Sequence, residues 1–136
     1  MSADARNKLS PSADMVAPQF LRYAGAGAIG TLAHYALLIT LVQFAGVSAV
    51  TASAAGATIG ALVNYVLNYR FTFASRRAHR VALPRFALVS ILGIVLNTIV
   101  IAALLALDRV HYVVAQVIAT GVVLLVGFIV NRKWTF

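Results

Sequence analysis

Two phrases gather the side chains of this chain that could hold something polar: N-Y-V-L-N-Y-R-F-T-F at residues 64–73 and G-F-I-V-N-R-K-W-T-F at 127–136. Each ends on Asn, a base, an aromatic, Thr and Phe in the same order. The carboxamides of Asn64, Asn68 and Asn131 offer donors and acceptors to hydroxyl-bearing groups, and Tyr65 and Tyr69 add phenolic hydroxyls. Arg70, Arg132 and Lys133 supply the charge-assisted hydrogen bonds that hold phosphate, and Arg22 and Arg85 stand beside aromatics elsewhere in the chain. What is missing is as informative. Asp4, Asp14 and Asp108 are the only acids, which leaves paired-carboxylate catalysis without its groups. There is no Cys, and His34, His79 and His111 are scattered, so neither a thiol nucleophile nor a metal site is expected. No phosphate-binding glycine loop of the G-x-x-x-x-G-K-[ST] type occurs. The chain reads as a non-enzyme with no cofactor.

The elements that position these residues follow from composition. Of 136 residues 62% are hydrophobic and 10% charged, and the mean hydropathy is +0.92, far above that of soluble domains. Four stretches, 23–45, 49–69, 86–107 and 112–130, contain no charged side chain. Each is close to the roughly 20 residues that a helix needs to cross a hydrocarbon core of about 30 Å. The apolar runs are continuous rather than alternating, which excludes membrane β-strands. The expected fold class is therefore an all-α integral membrane protein of four transmembrane helices.

Charge sets the expected orientation. Arg6, Lys8 and Arg22 precede the first stretch, Arg70, Arg76, Arg77, Arg80 and Arg85 border the loop between the second and third, and Arg132 and Lys133 follow the fourth. Arg109 alone lies on the other side, so both termini and the 70–85 loop are expected in the cytoplasm. The net charge of +8 is explained by this topology signal and by contact with anionic lipid, so nucleic acid is not the expected partner. Residues 1–19 are small, polar and charged and read as a disordered cytoplasmic tail without the apolar core of a signal peptide.

Sliding the chain by 63 residues aligns the two phrases and much else: Arg22 with Arg85, Gly30 with Gly93, Ala52 with Ala115, Asn68 with Asn131, Thr72 with Thr135 and Phe73 with Phe136. Two helical-hairpin repeats are expected, about 20–73 and 83–136. Each holds two spans, so they have parallel topology and a pseudo-two-fold axis along the membrane normal. In the second span Gly56 and Gly60 form a G-x-x-x-G face that ends in Asn64 and Asn68; it would pack within the repeat or against a second copy. The Asn residues read either as interhelical hydrogen bonds or as a polar notch for a hydrophilic headgroup. His34, with Asn97 at the equivalent place, is a candidate for a polar path at mid-depth, alongside Tyr65 and Tyr69, or for plain structure.

With helix starts at F-L-R-Y (20–23) and P-R-F (84–86) and ends at N-Y-R-F-T-F and V-N-R-K-W-T-F, the chain resembles the GtrA-like family of small four-helix bacterial membrane proteins over residues 20–136. The first end departs from the commoner form, with Tyr69 where Arg is usual and Phe71 where Trp is usual. The resemblance implies a multi-pass protein of the bacterial cytoplasmic membrane that flips polyprenyl-phosphate-linked monosaccharides for cell-surface polysaccharide synthesis. The alternative is a non-transporting scaffold that recruits a membrane glycosyltransferase. A small multidrug exporter ranks lower, since its membrane carboxylate is absent. Expected partners are the lipid-linked sugar, membrane lipids and a second copy of the chain in a homodimer.

Overall fold

A computed structural model describes residues 15–136. Among them the secondary structure is helical throughout: α1 (Val16–Ala45), α2 (Ala49–Leu67), α3 (His79–Leu105) and α4 (Tyr112–Val130). Both α2 and α4 run on into one π-helical turn, Asn68–Thr72 and Asn131–Thr135. The four helices are long and apolar enough to cross a membrane, and the chain is a multi-pass membrane protein. Their outward faces require lipid: Leu32, Ile94 and Val117 are 69%, 68% and 65% exposed.

The chain divides into two compact units at Ala74 and Ser75, each a helical hairpin. Local chemistry makes the bends. Gly46 ends α1 in the left-handed region (φ 66°), which glycine adopts freely, and Val47 N–H reaches back to the Leu41 carbonyl at 3.0 Å. Two residues later Ser48 opens α2, its hydroxyl oxygen accepting from Thr51 N–H at 3.3 Å. In the second hairpin Asp108 takes the left-handed conformation (φ 53°), which its short polar side chain tolerates. His111 then caps α4, its Nδ1 accepting from Val113 N–H at 3.3 Å.

α1 and α3 begin well before their charge-free stretches. Absence of charge marks where hydrocarbon begins, whereas a helix needs only backbone bonds and continues through the headgroups. Residues 1–14 of the expected tail lie outside the described residues; Val16 to Gln19 form the start of α1. Pro18 fits there because first-turn N–H groups have no helical partner, while Pro84, inside α3, removes one ladder bond.

The 63-residue repeat is visible in what each hairpin buries. Ala26 and Val89, Ala52 and Ala115, Tyr65 and Phe128, Asn68 and Asn131, and Thr72 and Thr135 are buried at matching positions. The aromatic at each helix start meets the last Phe of each phrase: Tyr23 lies 6.1 Å from Phe73 and Phe86 lies 6.1 Å from Phe136, between ring centroids. The phrase recurs because the hairpin recurs, and its Phe fastens the end of the second helix to the start of the first.

Candidate functional site

The two phrases end in the same unusual backbone. Phe73 N–H donates to the Asn68 carbonyl at 2.9 Å and Phe136 N–H to the Asn131 carbonyl at 3.0 Å, each bond skipping five residues rather than four. Such π turns carry one extra residue per turn and are over-represented at functional positions. Within each turn the residue types sort by face. Asn68 and Asn131 are buried (0% and 1% exposed), as are Thr72 and Thr135, while Arg70 and Lys133 are exposed and Arg132 is half-buried. The amides point into their own hairpin and the bases point out of it.

Asn68 bonds along its helix rather than across to another. Its Nδ2 donates to the Asn64 carbonyl (3.0 Å) and to Asn64 Oδ1 (2.6 Å). Its own Oδ1 is sealed from solvent with no partner among the described residues. Tyr65 and Tyr69 place their rings 5.8 Å apart on the neighbouring face. Gln19 ties the start of α1 to this end of α2, donating from Nε2 to the Thr72 carbonyl at 3.2 Å.

The candidate phosphate bases divide between two tasks. Arg22, Arg70 and Lys133 are exposed. Arg85, in contrast, donates to the Trp134 carbonyl at 2.7 Å and lies 5.0 Å from the centre of the Trp134 ring, a cation–π contact. Arg77 donates to the same carbonyl at 2.8 Å. Trp134 is thereby fixed where a helix C-terminus presents unsatisfied carbonyls and favours cations.

At mid-depth the first hairpin narrows to backbone contact. A Cβ built on Gly30 would lie 2.6 Å from the Gly60 carbonyl oxygen, and one on Gly60 would lie 2.6 Å from that of Gly30. One turn along, a Cβ on Gly56 would lie 2.6 Å from His34 Cδ2. The G-x-x-x-G face of α2 is therefore occupied by α1 of its own hairpin. Beside this crossing lies a groove of about 180 Å³ lined by Gly27, Gly30, Thr31 and His34 of α1 and by Ala57, Gly60, Ala61 and Asn64 of α2. Gly60 is twelve residues from the end of the π turn, roughly 18 Å at 1.5 Å per residue, which sets the groove near the bilayer middle. The His34 ring stacks on Tyr35 at 5.3 Å; its Nε2 is buried and has no hydrogen-bond partner among the described residues.

The second hairpin treats the equivalent position differently. Asn97 accepts through Oδ1 from Gln116 Nε2 at 3.3 Å, and the same Nε2 donates to Thr120 Oγ1 at 3.1 Å. Gln116, Gln19 and the capping role of Arg77 were missed in the sequence. The one available signal was that Gln116 is an amide inside a charge-free span.

A family model described as GtrA/DPMS, transmembrane domain, matches residues 22–136. No curated protein matches the chain.

Proposed function

Because the chain belongs to the GtrA/DPMS transmembrane-domain family, we propose that it carries a polyprenyl-phosphate-linked monosaccharide across the cytoplasmic membrane of a bacterium, for assembly of cell-surface polysaccharide. The observation that carries this reading is the polar groove of the first hairpin. A lipid-linked sugar keeps its apolar tail in lipid, so the problem is the phosphosugar. Each hydroxyl moved into hydrocarbon without a partner costs about 1–3 kcal/mol, and a bare charge at mid-depth costs about 3 kcal/mol or more. A groove near the bilayer middle, lined by His34, Asn64 and Thr31, gives hydroxyls somewhere to bond. At its membrane face each hairpin carries its own bases for phosphate, Arg22 and Arg70 in the first and Arg132 and Lys133 in the second. Both termini face the cytoplasm, and consumption of the sugar on the far side draws the flux without a chemical step in this chain. The protein works as a homodimer and takes no cofactor.

Binding gives the first test. A ligand that binds only the folded protein raises stability by about 2.7 kcal/mol at a hundredfold excess over Kd. Thermal unfolding of the purified chain in lipid nanodiscs is measured with short-chain polyprenyl phosphate carrying glucose or mannose, with the same polyprenyl phosphate alone, and with free sugar. A larger shift with a sugar-bearing lipid than with either part supports the reading. Equal shifts for the sugar-bearing and bare lipids, with neither sugar, leave a lipid-binding scaffold for a glycosyltransferase.

A further inference from the structure

The two repeats agree at their ends and disagree at their middles. Shifted by 63 residues, the groove positions of the first hairpin lose space or polarity: Thr31 becomes Ile94 and Gly60 becomes Val123, both larger and apolar, and Asn64 becomes Gly127, which has no amide. The structure shows the consequence at Gly93, the counterpart of Gly30, where a built Cβ would meet the Val123 side chain at 3.3 Å. Where the first hairpin brings two glycine backbones together beside open space, the second fills that level with Val123. Asn97, which stands where His34 stands in the first hairpin, is bonded to Gln116 of its own hairpin.

The polar groups lining the groove are not committed in the same way. Asn64 uses Oδ1 to accept from Asn68, which leaves its NH2 as a donor. His34 makes no hydrogen bond among the described residues, and its Nε2 is buried. Thr31 spends its hydroxyl proton on the Gly27 carbonyl at 3.0 Å and keeps its oxygen as an acceptor. An amide donor, an imidazole nitrogen and a hydroxyl acceptor suit a pyranose, whose hydroxyls both give and take. The groove, of about 180 Å³ and open along one side, has room for a sugar ring.

We infer that the chain holds a single sugar ring, in the first hairpin alone, with His34 and Asn64 bonding its hydroxyls, while the second hairpin is a closed structural counterpart. This rests on the reading of lipid-linked sugar translocation above. It makes the repeats equal in architecture and unequal in function.

The natural chain has no cysteine, so single cysteines report cleanly. Thr31→Cys and Ile94→Cys occupy equivalent positions, and Ile94 is 68% exposed, so surface exposure alone does not favour the first. Both full-length proteins are reconstituted in liposomes and treated with a small cationic methanethiosulfonate. The thiolate reacts and apolar surroundings suppress it, so modification at position 31 should be about tenfold faster or more. In parallel, translocation of fluorescent short-chain polyprenyl phosphate bearing glucose or mannose is followed for Asn64→Ala and Asn97→Ala at matched abundance. Loss of one hydrogen bond to the sugar lowers the Asn64→Ala rate about tenfold, and Asn97→Ala stays near the unmodified protein. Similar modification rates at 31 and 94, or similar losses in the two alanine variants, overturn the one-sided site and leave translocation standing. Asymmetric modification with no translocation of either lipid by the natural chain overturns the translocation reading, and the sugar site with it.

Discussion

Substituting Gly60 with Ala tests whether the crossing of α1 and α2 is set by backbone contact. The added Cβ would sit 2.6 Å from the Gly30 carbonyl oxygen and 2.9 Å from His34 Cβ, where ordinary contact begins near 3.4 Å. The first obstacle is backbone, so rotation of a side chain gives no relief. The helices must separate by several tenths of an ångström. A gap of 0.5–1 Å forfeits about a quarter to a half of each dispersion contact along the crossing. Within a bilayer no hydrophobic drive compensates, because lipid tails are as apolar as the helices. Overpacking of this kind costs about 1–3 kcal/mol. Gly30→Ala meets the reciprocal contact and should cost the same, whereas Gly25→Ala and Gly121→Ala meet nothing within 4 Å. These two should be neutral or gain up to about 1 kcal/mol from helix propensity. Gly93→Ala meets only a movable Val123 methyl and should fall between. Reversible unfolding in mixed detergent micelles measures all five variants on one scale. If Gly60→Ala is as stable as Gly25→Ala, the backbone crossing is wrong.

Three further outcomes follow from the same geometry. Asn68→Ala removes both bonds to Asn64 and should lower stability by about 0.6–2 kcal/mol in the same assay, whereas Arg70→Gln on the exposed face should change it little. Arg85→Gln should shift the emission of Trp134, the chain's one tryptophan, to the red and open it to an aqueous quencher; an unchanged spectrum would remove the contact. Cysteines placed at Ser75 and Ser48 report topology, and an impermeant thiol reagent on intact cells should label position 48 and spare position 75.

Much of the architecture was legible because lipid imposes simple demands. Length and absence of charge located all four helices, since every spanning segment must be apolar and helical. Charge could not locate where α1 and α3 begin, because helices persist through the headgroup region. The repeated phrase announced the hairpin repeat, yet residue types did not disclose the π turn, which adds a residue per turn without a distinctive side chain. That turn decides where the amides face, and Asn68 proved to bond along its own helix to Asn64. The Gly56 and Gly60 face was readable as a close contact, but its partner depended on Gly30 and His34 arriving at matching height on α1. Arg85 looked like Arg22 in sequence; only Trp134, at a position where the first repeat has Phe71, distinguishes its surroundings.

The central claim, that this small bundle moves a phosphosugar through lipid, is most directly tested by translocation in liposomes holding about one copy of its functional unit. Short-chain polyprenyl phosphate bearing glucose or mannose, labelled on the isoprenoid end, is placed in both leaflets and bleached from outside with an impermeant reductant. Vesicles containing the protein should lose the whole signal, in two phases, with the slow phase set by protein and absent from empty vesicles. Bleaching that stops at the outer-leaflet half for both sugars, with the protein inserted and folded, would contradict the account.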